Sequence, residues 1–208
     1  MYLAEANLSV CALNFQRFNE KFLVAIRSFI FTIEANLCSI FFLQARTRAI
    51  QVPKERTVCL QFSVDTRSRL SPPLPKSFTG NAYVLSSISS TCGDLLQETL
   101  TSIVHKIKEA KNAVNDDYVN AYLLALEAPQ FTLPALPELT VVSDWSHTPY
   151  HKVNFGIGDA VCAVPLAAPL REVVYFMRSS REVGGIDVRI GLMRKHLESF
   201  CHYFMEMM

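Results

Sequence analysis

Residues 141–158 read VVSDWSHTPYHKVNFGIG, and the rest of the chain is organised around them. The stretch opens as a strand, carries the chain's single tryptophan, Trp145, and ends with Gly156 and Gly158 flanking Ile157. Glycines at that spacing let the backbone take positive φ or approach a ligand where a Cβ would collide. A third glycine and a helix start are both missing, so the stretch does not read as a dinucleotide-binding fingerprint.

Outward from this loop, helix and strand signals alternate. Residues 1–50 read as helix, with Phe22, Ile26, Phe29, Ile30 and Ile33 on one face and Leu43, Ala45 and Ala49 ahead of the break at Pro53, although residues 1–20 lack clear periodicity. From Thr57 the period becomes two: Val58, Leu60, Phe62 and Val64 alternate with Cys59, Gln61 and Ser63, as in a half-buried strand. Pro72, Pro73 and Pro75 stiffen the next segment, and Gly80 and Asn81 open a second strand over 82–90.

Residues 91–126 are helical in composition, with breaks near Gly93 and at Asn115 and Asp116. Ile103, Ile107, Ala110 and Val114 form one stripe, and Asp116 and Asp117 are placed to cap a helix over 118–127. A proline-rich linker, 129–137, leads to a strand over 139–143. Residues 161–166, 172–177 and 186–192 are strand-like, with Gly184 and Gly185 as a hairpin turn. A closing helix from about Arg194 turns Leu197, Phe200, Cys201 and Phe204 inward. The expected fold class is α/β, a mixed sheet flanked by helices.

A chain of 208 residues can bury a sizeable core, and 50% hydrophobic with 19% charged residues excludes a disordered chain. A net charge of +1 argues against a nucleic-acid face. Cysteines at 11, 38, 59, 92, 162 and 201 show no CxxC or CxxH pairing, so no metal is expected and the thiols read as reduced, in a cytoplasmic protein. Arg27 and Glu34 interrupt the apolar run 22–45, which reads as a buried or interfacial helix rather than a membrane span.

Several blocks, in order, resemble the C-terminal half of the plant BAHD acyltransferases over roughly residues 35–206. Residues 44–49, QARTRA, are similar to the family's WRARTKA helix end. VDTRSR at 64–69, then PPLP at 72–75 and Gly80-Asn81, look like its DxRxRxxPPLPxxYFGN block. Trp145 stands nine residues ahead of Asn154, as the family tryptophan stands ahead of DFGWG, which here is Asn154, Phe155, Gly156, Ile157 and Gly158.

The resemblance implies one lobe of the two-lobed chloramphenicol-acetyltransferase-like fold over 36–208, preceded by an N-terminal helical stretch of uncertain origin over 1–35. It implies transfer of an acyl group, hydroxycinnamoyl or fatty acyl, from acyl-CoA as co-substrate to a small alcohol or amine, with no bound cofactor. It implies a coenzyme A channel with Gly80, Asn81, Ser143 and Trp145 in its wall. In the family the DFGWG aspartate pairs with an arginine, matched here by Arg67 or Arg69. Asn154 cannot form that ion pair, so the structural motif of Asn154, Phe155, Gly156 and Gly158 is expected to persist with weaker anchoring.

The family base is the histidine of an HxxxD motif, a group suited to taking a proton near neutral pH. The histidines here are His105, His147, His151, His196 and His202, and the fifth residues of their frames are Glu109, His151, Phe155, Phe200 and Glu206. His105 and His202 begin HxxxE, but on predicted helices away from the family's catalytic segment, where they read as surface residues. No residue is therefore assigned a catalytic role. The chain is expected to lack the catalytic lobe, to be inactive alone and to self-associate through the uncovered lobe face. Two alternatives are a non-catalytic protein that binds an acyl ligand or a partner, and an incomplete gene model in which residues 1–35 are not native coding sequence.

Overall fold

A computed structural model of the chain describes residues 8–14, 30–128, 138–160, 163, 165, 173–178 and 186–207. The strands are β1 (Leu8–Asn14), β2 (Thr57–Asp65), β3 (Tyr83–Thr91), β4 (Leu139–Asp144), β5 (Val173–Arg178) and β6 (Ile186–Met193). They form one six-stranded sheet in the order β1-β6-β5-β4-β2-β3. β2, β4 and β5 run parallel, while β3 joins β2, β6 joins β5 and β1 joins β6 antiparallel. The helices are α1 (Ile30–Ala49), α2 (Cys92–Gln97), α3 (Leu100–Asn112), α4 (Asp116–Glu127) and α5 (Arg194–Glu206).

The period-two pattern of β2 sets which face is covered. Val58, Leu60, Phe62 and Val64 are buried, while Cys59 and Gln61 are half-buried and Ser63 is exposed on the other face. The buried face meets α1, which lies against α3 and α5. At its centre the Phe42 ring sits 4.9 Å from Phe200, 5.3 Å from Phe204 and 6.1 Å from Phe176, joining α1, α5 and β5.

Two expectations change. Residues 8–14 are a strand rather than part of a helix, paired from Leu8 opposite Met193 to Asn14 opposite Asp187. Without that partner β6 would present a row of unpaired N–H and C=O groups, and the short run LSVCALN meets this demand whatever its weak local preference. The second helical region breaks at Glu98 and Thr99, not at Gly93. The hydroxyl oxygens of Thr91 and Thr99 accept from the N–H groups of Asp94 and Ser102 at 3.1 and 3.3 Å, starting separate helices.

Asn115 caps α4 through Tyr118 N–H at 2.9 Å. Asp116 and Asp117 lie inside its first turn instead of capping it, and the Asp116 carboxylate accepts Ser71 N–H at 3.0 Å. The expected positions of Phe22, Ile26 and Phe29, the linker 129–137, most of the strand at 161–166 and the Gly184-Gly185 turn lie outside the described residues. No helix among the described residues is long and apolar enough to cross a membrane.

The QARTRA block works from inside the fold. Gln44 Nε2 donates to Leu95 O at 2.9 Å, and buried Arg46 donates to Thr140 Oγ1 at 3.2 Å. One residue before β4, Glu138 Oε1 accepts from Arg56 Nε and Nη2 at 3.0 and 2.8 Å, while its carbonyl accepts Cys59 N–H at 3.0 Å. These bonds seat β4 beside β2 after the crossover.

The Arg56 hydrogen bonds hold the Glu138 carboxyl below the usual glutamate range. A carboxyl depressed on folding stabilises above its unfolded pKa and loses that contribution as pH falls through the folded value. Glu138→Gln therefore flattens the acid limb of thermal stability against pH. An acid limb identical in the two proteins would contradict this role.

Candidate active-site wall at the strand ends

Because β2, β4 and β5 are parallel, their C-terminal ends lie together, and antiparallel β3 begins at that same end. This is where open α/β sheets bind ligands. The topology thus brings residues 65–69, Gly80 with Asn81, and Ser143 with Trp145 to one end of the sheet.

Arg67 ties two of these pieces together. Its N–H and Nη1 donate to the Asp65 carboxylate at 2.8 and 3.0 Å, and its Nη2 donates to Gly80 O at 2.8 Å. A Cβ on Gly80 would stand 2.7 Å from the tip of the exposed Phe78 ring, which would have to swing aside.

Trp145 is held at four points. Its N–H donates to Phe176 O at 2.7 Å and its indole Nε1 to Ser143 Oγ at 3.0 Å. Its ring lies 5.5 Å from Tyr150 and, edge-on, 6.0 Å from Tyr175. The turn itself is closed by Asp144, whose Oδ1 accepts from Ser146 N and Oγ at 2.9 and 2.6 Å. Ser143 stands opposite Tyr175, and Tyr175 opposite Arg189, in a row on the face opposite to the one that α1, α3 and α5 cover.

Residues 36–207 match the model of the Transferase family. The chain belongs to this family, the BAHD acyltransferases. It is 44% identical over 185 residues to Brassinosteroid-related acyltransferase 1 of Arabidopsis thaliana, covering 84% of this chain and 40% of that protein. It is 29% identical over 168 residues to Omega-hydroxypalmitate O-feruloyl transferase of the same plant, covering 81% of this chain and 36% of that protein. The chain thus spans well under half the length of these relatives.

Among solved structures it superposes on vinorine synthase with a TM-score of 0.67 at 16% identity, covering 95% of this chain and 47% of that one. With F. sporotrichioides TRI101, solved with coenzyme A and T-2, the TM-score is 0.63 at 18% identity over 79% of this chain and 40% of that one. At these identities the likeness is one of fold, the chloramphenicol-acetyltransferase-like acyltransferase lobe.

Against the BAHD pattern, the loop at 154–159 corrects one expectation. Arg67 does not wait for an acidic partner at 154: it pairs with Asp65, within its own block. The Asn154 amide instead closes its own loop, with Oδ1 accepting from Gly156 N and Gly158 N at 2.7 and 3.4 Å and Nδ2 donating to Asp159 Oδ1 at 3.1 Å. An amide can do both, whereas a carboxylate only accepts. Gly156 and Gly158 have φ of +89° and +121° with nothing within 4 Å of a Cβ, so torsion rather than crowding requires glycine there. Phe155 and Ile157 are 85% and 96% exposed on this loop.

Asn154→Asp would face one carboxylate with another and lose the donor to Asp159. It is expected to lower stability, by no more than about 1 kcal/mol at so exposed a site, and with it the melting temperature slightly, and Asp159→Asn should remove the penalty. A rise in melting temperature that disappears with Arg67→Ala would restore the distant ion pair as the explanation.

The two HxxxE histidines lie on exposed helix surfaces. His105 Nδ1 is 3.4 Å from Glu109 on α3, and His202 Nε2 is 3.3 Å from Glu206 on α5, with all four side chains more than half exposed. His196 Nδ1 faces Ala49 O at 3.0 Å. Tyr150 and Tyr175 escaped the sequence reading. Tyr150 follows Pro149 inside the quoted stretch, and Tyr175 alternates with buried Val174 and Phe176, a signal visible only once the open face is known.

Proposed function

We propose that this chain supplies the acyl-CoA-facing wall of a BAHD acyltransferase, for transfer of an acyl group to an alcohol or amine. The observation that carries this is the convergence of the Arg67–Gly80 clamp, Asn81 and the Ser143–Trp145 turn at one end of three parallel strands, beside an aromatic surface of Trp145, Tyr150 and Tyr175. The Ser143 oxygen takes the indole N–H, which leaves the serine's own proton to be donated to an oxygen of a bound acyl group. A hydroxycinnamoyl donor is favoured, since similar proteins include a feruloyl transferase and a fatty alcohol:caffeoyl-CoA acyltransferase, each 29% identical. Cysteine usage supports a cytoplasmic setting.

The proton acceptor belongs to the HxxxD motif, which this sequence does not contain. Acyl transfer therefore needs the family's other lobe. A second possibility, a binding protein of the same lineage, has in its favour the exposure of Phe155 and Ile157, which a partner surface would cover.

Calorimetric titration with coenzyme A tests the proposal. Binding is expected, weakened about tenfold or more, equivalent to ~1.4 kcal/mol, by Trp145→Ala. No heat at millimolar coenzyme A, or binding indifferent to Trp145→Ala, would overturn it.

A further inference from the structure

Arg189 is the only cationic residue of β6, and it is half-buried. It alternates with buried Val188 and Ile190, so its side chain leaves from the face that α1, α3 and α5 do not cover, where Tyr175 of β5 stands opposite it. Its Nη1 donates to Pro165 O at 2.7 Å, and among the described residues this is its one hydrogen bond and no carboxylate pairs with it. A guanidinium carries five N–H donors in a planar fork and keeps its charge at any ordinary pH. Here it has given up part of its hydration for a single carbonyl. A glutamine would make that bond without desolvating a charge, so holding Pro165 gives no reason for arginine.

Tyr175 connects Arg189 to the Trp145 turn. It stands opposite Ser143 on its other side, and its ring meets the Trp145 ring edge-on at 6.0 Å. Neighbouring strands lie about 4.8 Å apart, so Ser143 and Arg189 are separated by roughly 10 Å across the face. The Tyr175 hydroxyl has no hydrogen-bond partner among the described residues either. The row of Ser143, Tyr175 and Arg189 thus runs from an aromatic end beside Trp145 to a cationic end, with proton donors along it and no acid in it. A molecule with a flat ring at one end and a carboxylate at the other complements such a row, because a carboxylate takes two parallel N–H groups of a guanidinium in charge-assisted hydrogen bonds.

We propose that Arg189 is the specificity-determining residue of a site for an aromatic carboxylic acid, whose ring lies against Trp145 and Tyr175 and whose carboxylate takes the remaining N–H groups of the guanidinium. That such an acid carries the hydroxyl or amine to be acylated rests on the acyl-CoA reading; its binding does not. Trp145 is the only tryptophan of the chain, so its fluorescence reports a ring bound beside it.

Titration with 3-phenylpropanoate, and with 3-phenylpropanamide as its uncharged counterpart, tests the proposal at neutral pH. The acid is expected to change Trp145 emission at concentrations about tenfold or more below those the amide needs. Arg189→Gln, which can still donate to Pro165 O, should remove that preference, and Arg189→Lys should keep part of it, an ammonium being a point charge and not a fork. Lys108→Gln, which takes an equal charge from the exposed surface of α3, should leave the preference intact. No change in emission with either compound at millimolar concentration, or equal affinity for the two, would overturn the proposal without any variant having to fold. So would a preference that survives Arg189→Gln. A preference that depends on Arg189 in a protein that binds no coenzyme A would leave this site standing and sink the acyl-CoA assignment, and coenzyme A binding without the preference would do the reverse.

Discussion

The 208-residue chain, supplied with an acyl-CoA and an alcohol or amine, is expected to release coenzyme A no faster than the uncatalysed reaction. General-base assistance contributes about 10²- to 10⁴-fold, and the sequence contains no HxxxD motif to supply it. His105 and His202 lie on exposed helix surfaces beside Glu109 and Glu206, and His196 faces a backbone carbonyl. Ser143 is hydrogen-bonded to an indole, which cannot accept its proton. A thiol-trapping assay for free coenzyme A measures this. Turnover that survives His105→Ala with His202→Ala would mean that the chemistry lies elsewhere.

Phe42→Ala is expected to be the most damaging single change to the fold. The ring is fully buried and touches Phe176 of β5 and Phe200 and Phe204 of α5, so its removal opens a cavity where three elements meet. Phe-to-Ala changes in cores cost about 3–5 kcal/mol, and in chains of this size each kcal/mol lowers the melting temperature by roughly 2–4 °C. Phe42→Leu should recover much of the loss. A Phe42→Ala protein melting within a degree or two of the parent would show that α1 and α5 do not share this core.

The sheet was legible where one face is wet and the other dry. Val58 to Val64 alternate in sequence as they do in burial, and the stripe of Ile103, Ile107 and Val114 is buried as its spacing predicts. Residues 8–14 were not legible as a strand, because their pairing answers a need of β6 and not a preference of their own. The break at Asn115 lies where the sequence puts it, but the one near Gly93 lies instead at Glu98 and Thr99, because Gly93 is conspicuous whereas Thr91 and Thr99 act through hydroxyl groups that only geometry reveals.

At the site, the ordered blocks singled out Gly80, Asn81, Ser143 and Trp145, and the strand order brings them to one sheet end. What sequence could not convey was which acid Arg67 takes. Asp65, two residues away, has it, while position 154, far along the chain, carries an amide. The same holds for Lys111, which in sequence belongs to a charged helix face and in space reaches between α1 and β2.

The central claim is that residues 36–207 form a working acyltransferase lobe that needs only its catalytic counterpart. It is tested most directly by replacing the matching portion of Brassinosteroid-related acyltransferase 1, 44% identical to this chain, with residues 36–207 and measuring acyl transfer from acyl-CoA. The chimaera is expected to turn over, and to lose that activity with Trp145→Ala while still folding. A folded chimaera that binds coenzyme A but transfers no acyl group, or one whose transfer is indifferent to Trp145→Ala, would contradict the claim.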